Sequence, residues 1–219
     1  MSLLPAHGRL GRPHRSAMAA GPDHHANQRH GVAGALVRLT RPAQWPKNLL
    51  VLAAPAAAGV LDQGTVLART LILLVAFTAA SAAVYCVNDA RDAAADRAHP
   101  VKRHRPVASS AVSPRLAVAT ATVAATAAVS VAASVNLASA GVVVSYLALS
   151  TAYSLRLKHV AVLDITIVAT GFVLRALSGA VGNELPVSSW FMLVALFGAL
   201  YLVTGKRAAE VQRTQPGDG

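Results

Sequence analysis

The chain of 219 residues has one cysteine, nine acidic residues and only 5% aromatics. A single thiol, Cys86, excludes an internal disulfide and leaves nothing for a cysteine-based metal site. Charged residues make up 13% of the chain, about half of the ~25% usual in soluble domains. Together with 54% hydrophobic residues and a mean hydropathy of +0.49, that scarcity excludes disorder and argues against a soluble enzyme. The little charge there is leans one way, 20 Lys and Arg against 9 acids, for a net charge of +11. A pI of 11.1 would suit a nucleic-acid binder. Membrane proteins, however, gather Lys and Arg in cytoplasmic loops, and the apolar runs below favour that explanation, so no nucleic acid is expected as a partner.

Residues 1–31 stand apart, with five of the eight histidines and four arginines among Gly and Pro. Their apolar stretches are too short for the core of a signal peptide, and the segment reads as a flexible, basic cytoplasmic tail. Residues 32–212 form the membrane domain, and 213–219 a polar tail. Within the domain, 48–61, 70–88, 116–155 and 185–205 carry no charge over 14, 19, 40 and 21 residues. A crossing helix needs roughly 20 residues, so the 40-residue run fits two crossings, with a turn at 136–141. A further apolar stretch between Lys158 and Glu184 is interrupted by Asp164 and Arg175. The expected fold is therefore all-α, a polytopic transmembrane helix bundle with about six spans near 48–62, 68–88, 116–135, 140–155, 161–182 and 187–204. The first is the shortest, and Lys47 must snorkel at its edge.

Loop charge sets the expected topology. The stretch through Lys47, the 89–115 loop, the 156–159 loop and the segment from Lys206 onward are basic, whereas the turns at 62–65, 136–141 and 182–189 are poor in Lys and Arg. The positive-inside rule then places both termini in the cytoplasm, across a cytoplasmic (inner) membrane.

Chemistry concentrates after the second span. From Asn88 to Asp96 the sequence is rich in Ala and Arg, so the helix should continue. Asp89, Asp92 and Asp96 fall at i, i+3 and i+7, and Asn88 joins Asp92 and Asp96 at i+4 and i+8, so all four share one face. Like charges at this spacing repel by roughly 0.2–0.5 kcal/mol per pair. Arg91 and Arg97 are candidates to soften that repulsion, and a divalent cation would remove it. Mg²⁺ takes a few carboxylates with phosphate oxygens and waters. The basic run that follows offers Lys102 and Arg105 to phosphates, although topology alone also explains it. Arg41, Gln44, Trp45, Lys47 and Asn48 before the first span, Tyr153, Arg156 and Lys158 after the fourth, and Lys206, Arg207 and Glu210 after the sixth bring further polar groups to the same face. Together they describe a mouth suited to a metal–diphosphate substrate. Asp164 and Arg175 lie three turns apart in the fifth span, and intramembrane charges are functional candidates. Arg175 either lines a cavity or snorkels outward.

At these residues the sequence resembles the UbiA-type intramembrane prenyltransferase superfamily. Asn88-Asp89-x-x-Asp92-x-x-x-Asp96 is similar to its first Asp-rich motif, and Tyr153-x-x-x-Leu157-Lys158 to its Tyr-Lys motif. Arg41-Pro-x-Gln-Trp-x-Lys-Asn48, His99-Pro-x-Lys-x-x-Arg-Pro106 and Gly205-Lys-Arg-x-x-Glu210 point to the branch that moves phosphoribose from phosphoribosyl pyrophosphate to a polyprenyl (decaprenyl) phosphate and releases pyrophosphate, the lipid product serving arabinose-donor and cell-wall polysaccharide synthesis. The resemblance implies catalytic carboxylates Asp89, Asp92 and Asp96 that hold Mg²⁺ with Asn88. It implies substrate binding by Lys47, Asn48, Lys102, Arg105, Tyr153, Lys158, Lys206, Arg207 and Glu210. Two departures bear on this. Lys206-Arg207 stands where other members carry a second Asp-rich motif, which disfavours transfer of a prenyl group from its diphosphate to an aromatic acceptor. The superfamily has about nine helices and this chain about six, so an oligomer or a complementing chain would have to supply the rest, and an inactive truncated remnant is the competing expectation. A small transporter built on Asp164 and Arg175 fits less well, because the polar groups cluster at one membrane face rather than near its midplane.

Overall fold

In the computed structural model the backbone is described for residues 23–154 and 161–214, and side chains for 31–154 and 165–209. Every element among them is helical: α1 (Asp23–Leu39), a 3-10 helix (Pro42–Leu52), α2 (Ala53–Ala57), α3 (Gly64–Ala98), a 3-10 turn (Lys102–His104), α4 (Pro114–Ala133), α5 (Leu137–Ala152), α6 (Ala161–Gly182) and α7 (Ser189–Thr214). Helix α1 begins inside the stretch expected to be a tail.

Four helices are long and apolar enough to cross a membrane: Gly64–Ala98, Pro114–Ala133, Ile165–Gly182 and Ser189–Ala209. Helix α5 is apolar but shorter. The expected first span is not one regular helix. Pro42, Pro46 and Pro55 each remove a backbone donor, and the chain tightens into the 3-10 helix before the five residues of α2. A 3-10 helix rises about 2.0 Å per residue and an α-helix 1.5 Å, so the two pieces together reach about 30 Å, the thickness of a hydrocarbon core.

Helix α3 is the axis of the bundle. Its 35 residues extend about 52 Å, so if 70–88 fills the hydrocarbon, the acidic end projects past one face. Leu73, Ala76, Phe77 and Ala80 of α3 form the main core with Val51, with Ala128 and Ala132 of α4, and with Val143 and Tyr146 of α5. A second core lies toward the acidic end. There Cys86 and Ala93 meet Ala35 and Leu39 of α1, Ala117 and Ala121 of α4, and Val107 and Val112 of the intervening loop. Burying those two valines clamps the basic loop against α3. Helix α7 turns Trp190, Val194, Phe197 and Tyr201 outward, a stripe at helical spacing that suits a bilayer.

One side chain ties the start of α5 to the end of α6. Asn136 Oδ1 accepts the Ser139 N–H at 2.7 Å, capping α5, while its Nδ2 donates to the Val181 carbonyl at 3.1 Å. Asn136→Ala removes both bonds. It is expected to lower stability by about 1–2 kcal/mol, measurable as a lower thermal midpoint in detergent.

Candidate functional site

The acidic ladder is where the sequence placed it, on an unbroken helix, but its charges are balanced from elsewhere. Asp89 and Asp96 are buried, at 2% and 4% exposure, and Asp92 is half-buried. Arg41 Nη2 donates to Asp89 Oδ1. Arg105 Nη1 donates to Asp96 Oδ2 at 2.7 Å and lies 3.6 Å from Asp89 Oδ1. Arg91 and Arg97, the neighbours expected to soften the ladder, turn away to structural carbonyls. Arg91 Nη1 donates to Ser154 O at 2.8 Å and Arg97 Nε to Ala108 O at 3.2 Å.

Both counter-ions are delivered by local structure. Arg105 leaves the 3-10 turn in a loop anchored by Val107 and Val112. Arg41 sits between α1 and the 3-10 helix in a left-handed conformation (φ 53°), uncommon for a residue with a Cβ. Its guanidinium lies 4.7 Å from the centroid of the Tyr85 ring, a cation–π contact one turn before Asp89.

The donor set decides whether these residues suit a divalent cation. Asp89 and Asp96 converge on one cationic nitrogen, Arg105 Nη1, and Asp89 also holds Arg41, so the two carboxylates face two guanidiniums. Among the described residues no group of three or more His, Cys, Asp or Glu side chains could enclose an ion. The protein offers a partial shell of hard oxygen donors, which is how Mg²⁺ is usually held, with waters and substrate phosphates completing it. An ion bound there would share Asp89 and Asp96 with Arg41 and Arg105.

Next to the ladder is a cavity of about 160 Å³ whose walls include Lys47, Tyr85, Asn88, Tyr146, Tyr153 and Arg175. A second, of about 380 Å³, is lined by Lys47, Lys206 and Arg207 with Val168, Phe172 and Leu202. Lys47 lines both, so Lys47, Asn88, Tyr153, Lys206 and Arg207 are gathered around these two cavities. Lys102 is exposed on its turn. Asn48 is fully buried and its amide serves protein partners: Nδ2 donates to Thr78 Oγ1, and Oδ1 accepts from Ser81 and Arg175. Lys158, and the side chains of Asp164 and Glu210, lie outside the described residues.

Arg175 resolves as a cavity residue, 7% exposed. Arg41 is the residue sequence reasoning undervalued. It headed a recognised motif, yet nothing local linked it to Asp89, 48 positions away.

The fold and site define a multi-pass helical membrane protein whose charged groups gather around cavities at one end of the bundle. The chain belongs to the UbiA prenyltransferase family, which it matches over residues 49–210. It is similar to three proteins named decaprenyl-phosphate phosphoribosyltransferase. That of Mycolicibacterium smegmatis is 44% identical over 181 residues, covering 81% of this chain and 57% of the relative. That of Mycobacterium tuberculosis is 45% identical over 184 residues, covering 82% and 61%. That of Corynebacterium glutamicum is 43% identical over 185 residues, covering 82% and 55%. The chain thus spans little more than half the length of these relatives.

Proposed function

We propose that the chain provides the charged face of a membrane phosphoribosyltransferase, which moves phosphoribose from phosphoribosyl pyrophosphate to a polyprenyl phosphate such as decaprenyl phosphate. The observation that carries this reading is the convergence of Asp89 and Asp96 on one cationic centre beside a cavity lined by Asn88 and Lys47. The names of the three relatives support it.

In this reading Asp89, Asp92 and Asp96, with Asn88, would hold Mg²⁺ for the pyrophosphate of the donor. When bound, Mg²⁺ neutralises charge on the leaving group. A lipid phosphate oxygen attacks C1 of the ribose, the bond from C1 to the pyrophosphate oxygen breaks, and its electron pair leaves on pyrophosphate. Lys47, Lys206 and Arg207, with Lys102, Arg105 and Lys158, bind phosphate oxygens by charge-assisted hydrogen bonds. Tyr153 and Glu210 orient the ribose hydroxyls. The mouth faces the cytoplasm of an inner membrane, with both termini on that side, and the product supplies arabinose donors for cell-wall polysaccharide. A second copy or a further segment completes the lipid-facing wall.

The test is incorporation of label from phosphoribosyl pyrophosphate into extractable lipid, in membranes supplied with Mg²⁺ and decaprenyl phosphate. Asp92→Asn is expected to reduce incorporation at least a hundredfold. Full, Mg²⁺-dependent activity in that variant would remove the metal assignment.

A further inference from the structure

Arg175 is a buried cation that no acid among the described residues pairs with. Its Nε donates to Asn48 Oδ1 at 2.8 Å and its Nη1 to the Gly171 carbonyl at 2.7 Å. Its Nη2 donates to Tyr146 Oη at 2.8 Å and to Ser81 Oγ at 3.2 Å. The guanidinium also lies 4.7 Å from the Tyr146 ring centroid and 5.7 Å from that of Phe172. These bonds engage four of its five N–H groups, and every acceptor is neutral. Dipoles and ring faces orient the charge without cancelling it. An unpaired ion inside a bundle carries a desolvation penalty of several kcal/mol, which an anion bound beside it would offset.

The same side chain lines the 160 Å³ cavity with Lys47, Asn88, Tyr85 and Tyr153. Lys47 and Arg175 are both cationic, and the ladder acids Asp89 and Asp96 have Arg41 and Arg105 as counter-ions. At about 30 Å³ per water the space would hold roughly five waters, enough for one phosphate group.

We propose that this cavity is a phosphate-monoester subsite, distinct from the carboxylate ladder, in which Arg175 supplies the fixed positive charge and Lys47 a second cation. The proposal deepens the phosphoribosyl-transfer reading and rests on it for the two sources of such a group, the polyprenyl phosphate and the 5-phosphate of the donor. Arg175 lies in the interior of α6, held by the 3-10 helix, α3 and α5, so the subsite is preorganised and a bound phosphate is fixed beside Asn88 at the head of the ladder.

The test is calorimetric titration of the full chain in detergent, with EDTA present so that the ladder holds no metal. The probes are farnesyl phosphate, ribose 5-phosphate and inorganic phosphate. Wild type is expected to bind at least one monoester, Arg175→Gln to weaken it tenfold or more, and Arg175→Lys to weaken it less. Ser150→Leu fills the cavity from a wall position outside the Arg175 bonds. It is expected to weaken the same probe with an unchanged thermal midpoint, and it decides the matter if Arg175→Gln fails to fold. Arg175-dependent binding of farnesyl phosphate alone assigns the lipid acceptor, and of ribose 5-phosphate alone the donor. No monoester binding by wild type, or equal binding by wild type and both cavity variants, overturns the subsite. Arg175-dependent binding without any label transfer to lipid removes the transfer reading for this chain acting alone and leaves the subsite standing.

Discussion

Asp89→Ala is expected to be the most damaging substitution of any carboxylate among the described residues, lowering stability by about 3 kcal/mol and abolishing label transfer. Removing one partner of a buried ion pair costs about 3–5 kcal/mol, because the remaining charge is left desolvated and unpaired. The low end applies here, since Arg41 and Arg105 keep side-chain exposures of 28% and 29%. Asp89 faces both guanidiniums, whereas Asp96 faces only Arg105. Asp96→Ala should therefore be milder by at least 1 kcal/mol. A double-mutant cycle separates the effects: Arg41→Ala combined with Asp89→Ala should cost much less than the sum of the two, because the second change removes the charge the first leaves stranded. Denaturant unfolding in detergent supplies the stabilities. Equal destabilisation by Asp89→Ala and Asp96→Ala, with no coupling to Arg41, would show that the pairs are incidental.

The ladder was legible because its information is local. Spacing of three and four puts the acids on one face, and Ala-rich sequence around them favours a helix running past the apolar run. Its counter-ions were not legible. Sequence proximity nominated Arg91 and Arg97, but a residue two or one positions from an aspartate on a helix points elsewhere, whereas Arg41 and Arg105 arrive from separate segments whose paths are set by the packing of Leu39, Val107 and Val112. The first span was misread for a different reason. Its uncharged length was counted, but Pro55 within it and Pro46 just before it were not set against the donors that a regular α-helix needs. Arg175 was visible as an intramembrane charge. Whether it faced a cavity depended on Asn48, Ser81 and Tyr146, residues 127, 94 and 29 positions away, which no local pattern connects.

That same packing makes a glycine in α6 decisive. Gly179→Val is expected to lower stability by about 3 kcal/mol or more and to reduce label transfer at least tenfold, although Gly179 touches no substrate in the proposed mechanism. A Cβ at Gly179 would overlap the Val51 carbonyl oxygen and press on Pro55 Cδ at 3.0 Å. The oxygen belongs to backbone, so no rotamer change relieves the clash. Overpacking a tight contact typically costs about 1–3 kcal/mol and sometimes more, and here the only relief is displacement of the 3-10 helix from α6. That helix carries Lys47 and Asn48, so moving it opens the Asn48–Arg175 bond and shifts the lysine shared by the two cavities. Gly141→Ala is the matched control. Nothing lies within 4 Å of the Cβ it would add, and within α5 the change should be neutral or stabilising by about 0.5–1 kcal/mol. Thermal midpoints in detergent and label incorporation in membranes distinguish the two glycines. A Gly179→Val protein as stable and active as the Gly141→Ala protein would mean that α6 and the 3-10 helix are not in close contact, and the geometry assigned to Lys47 and Arg175 would fall with that contact.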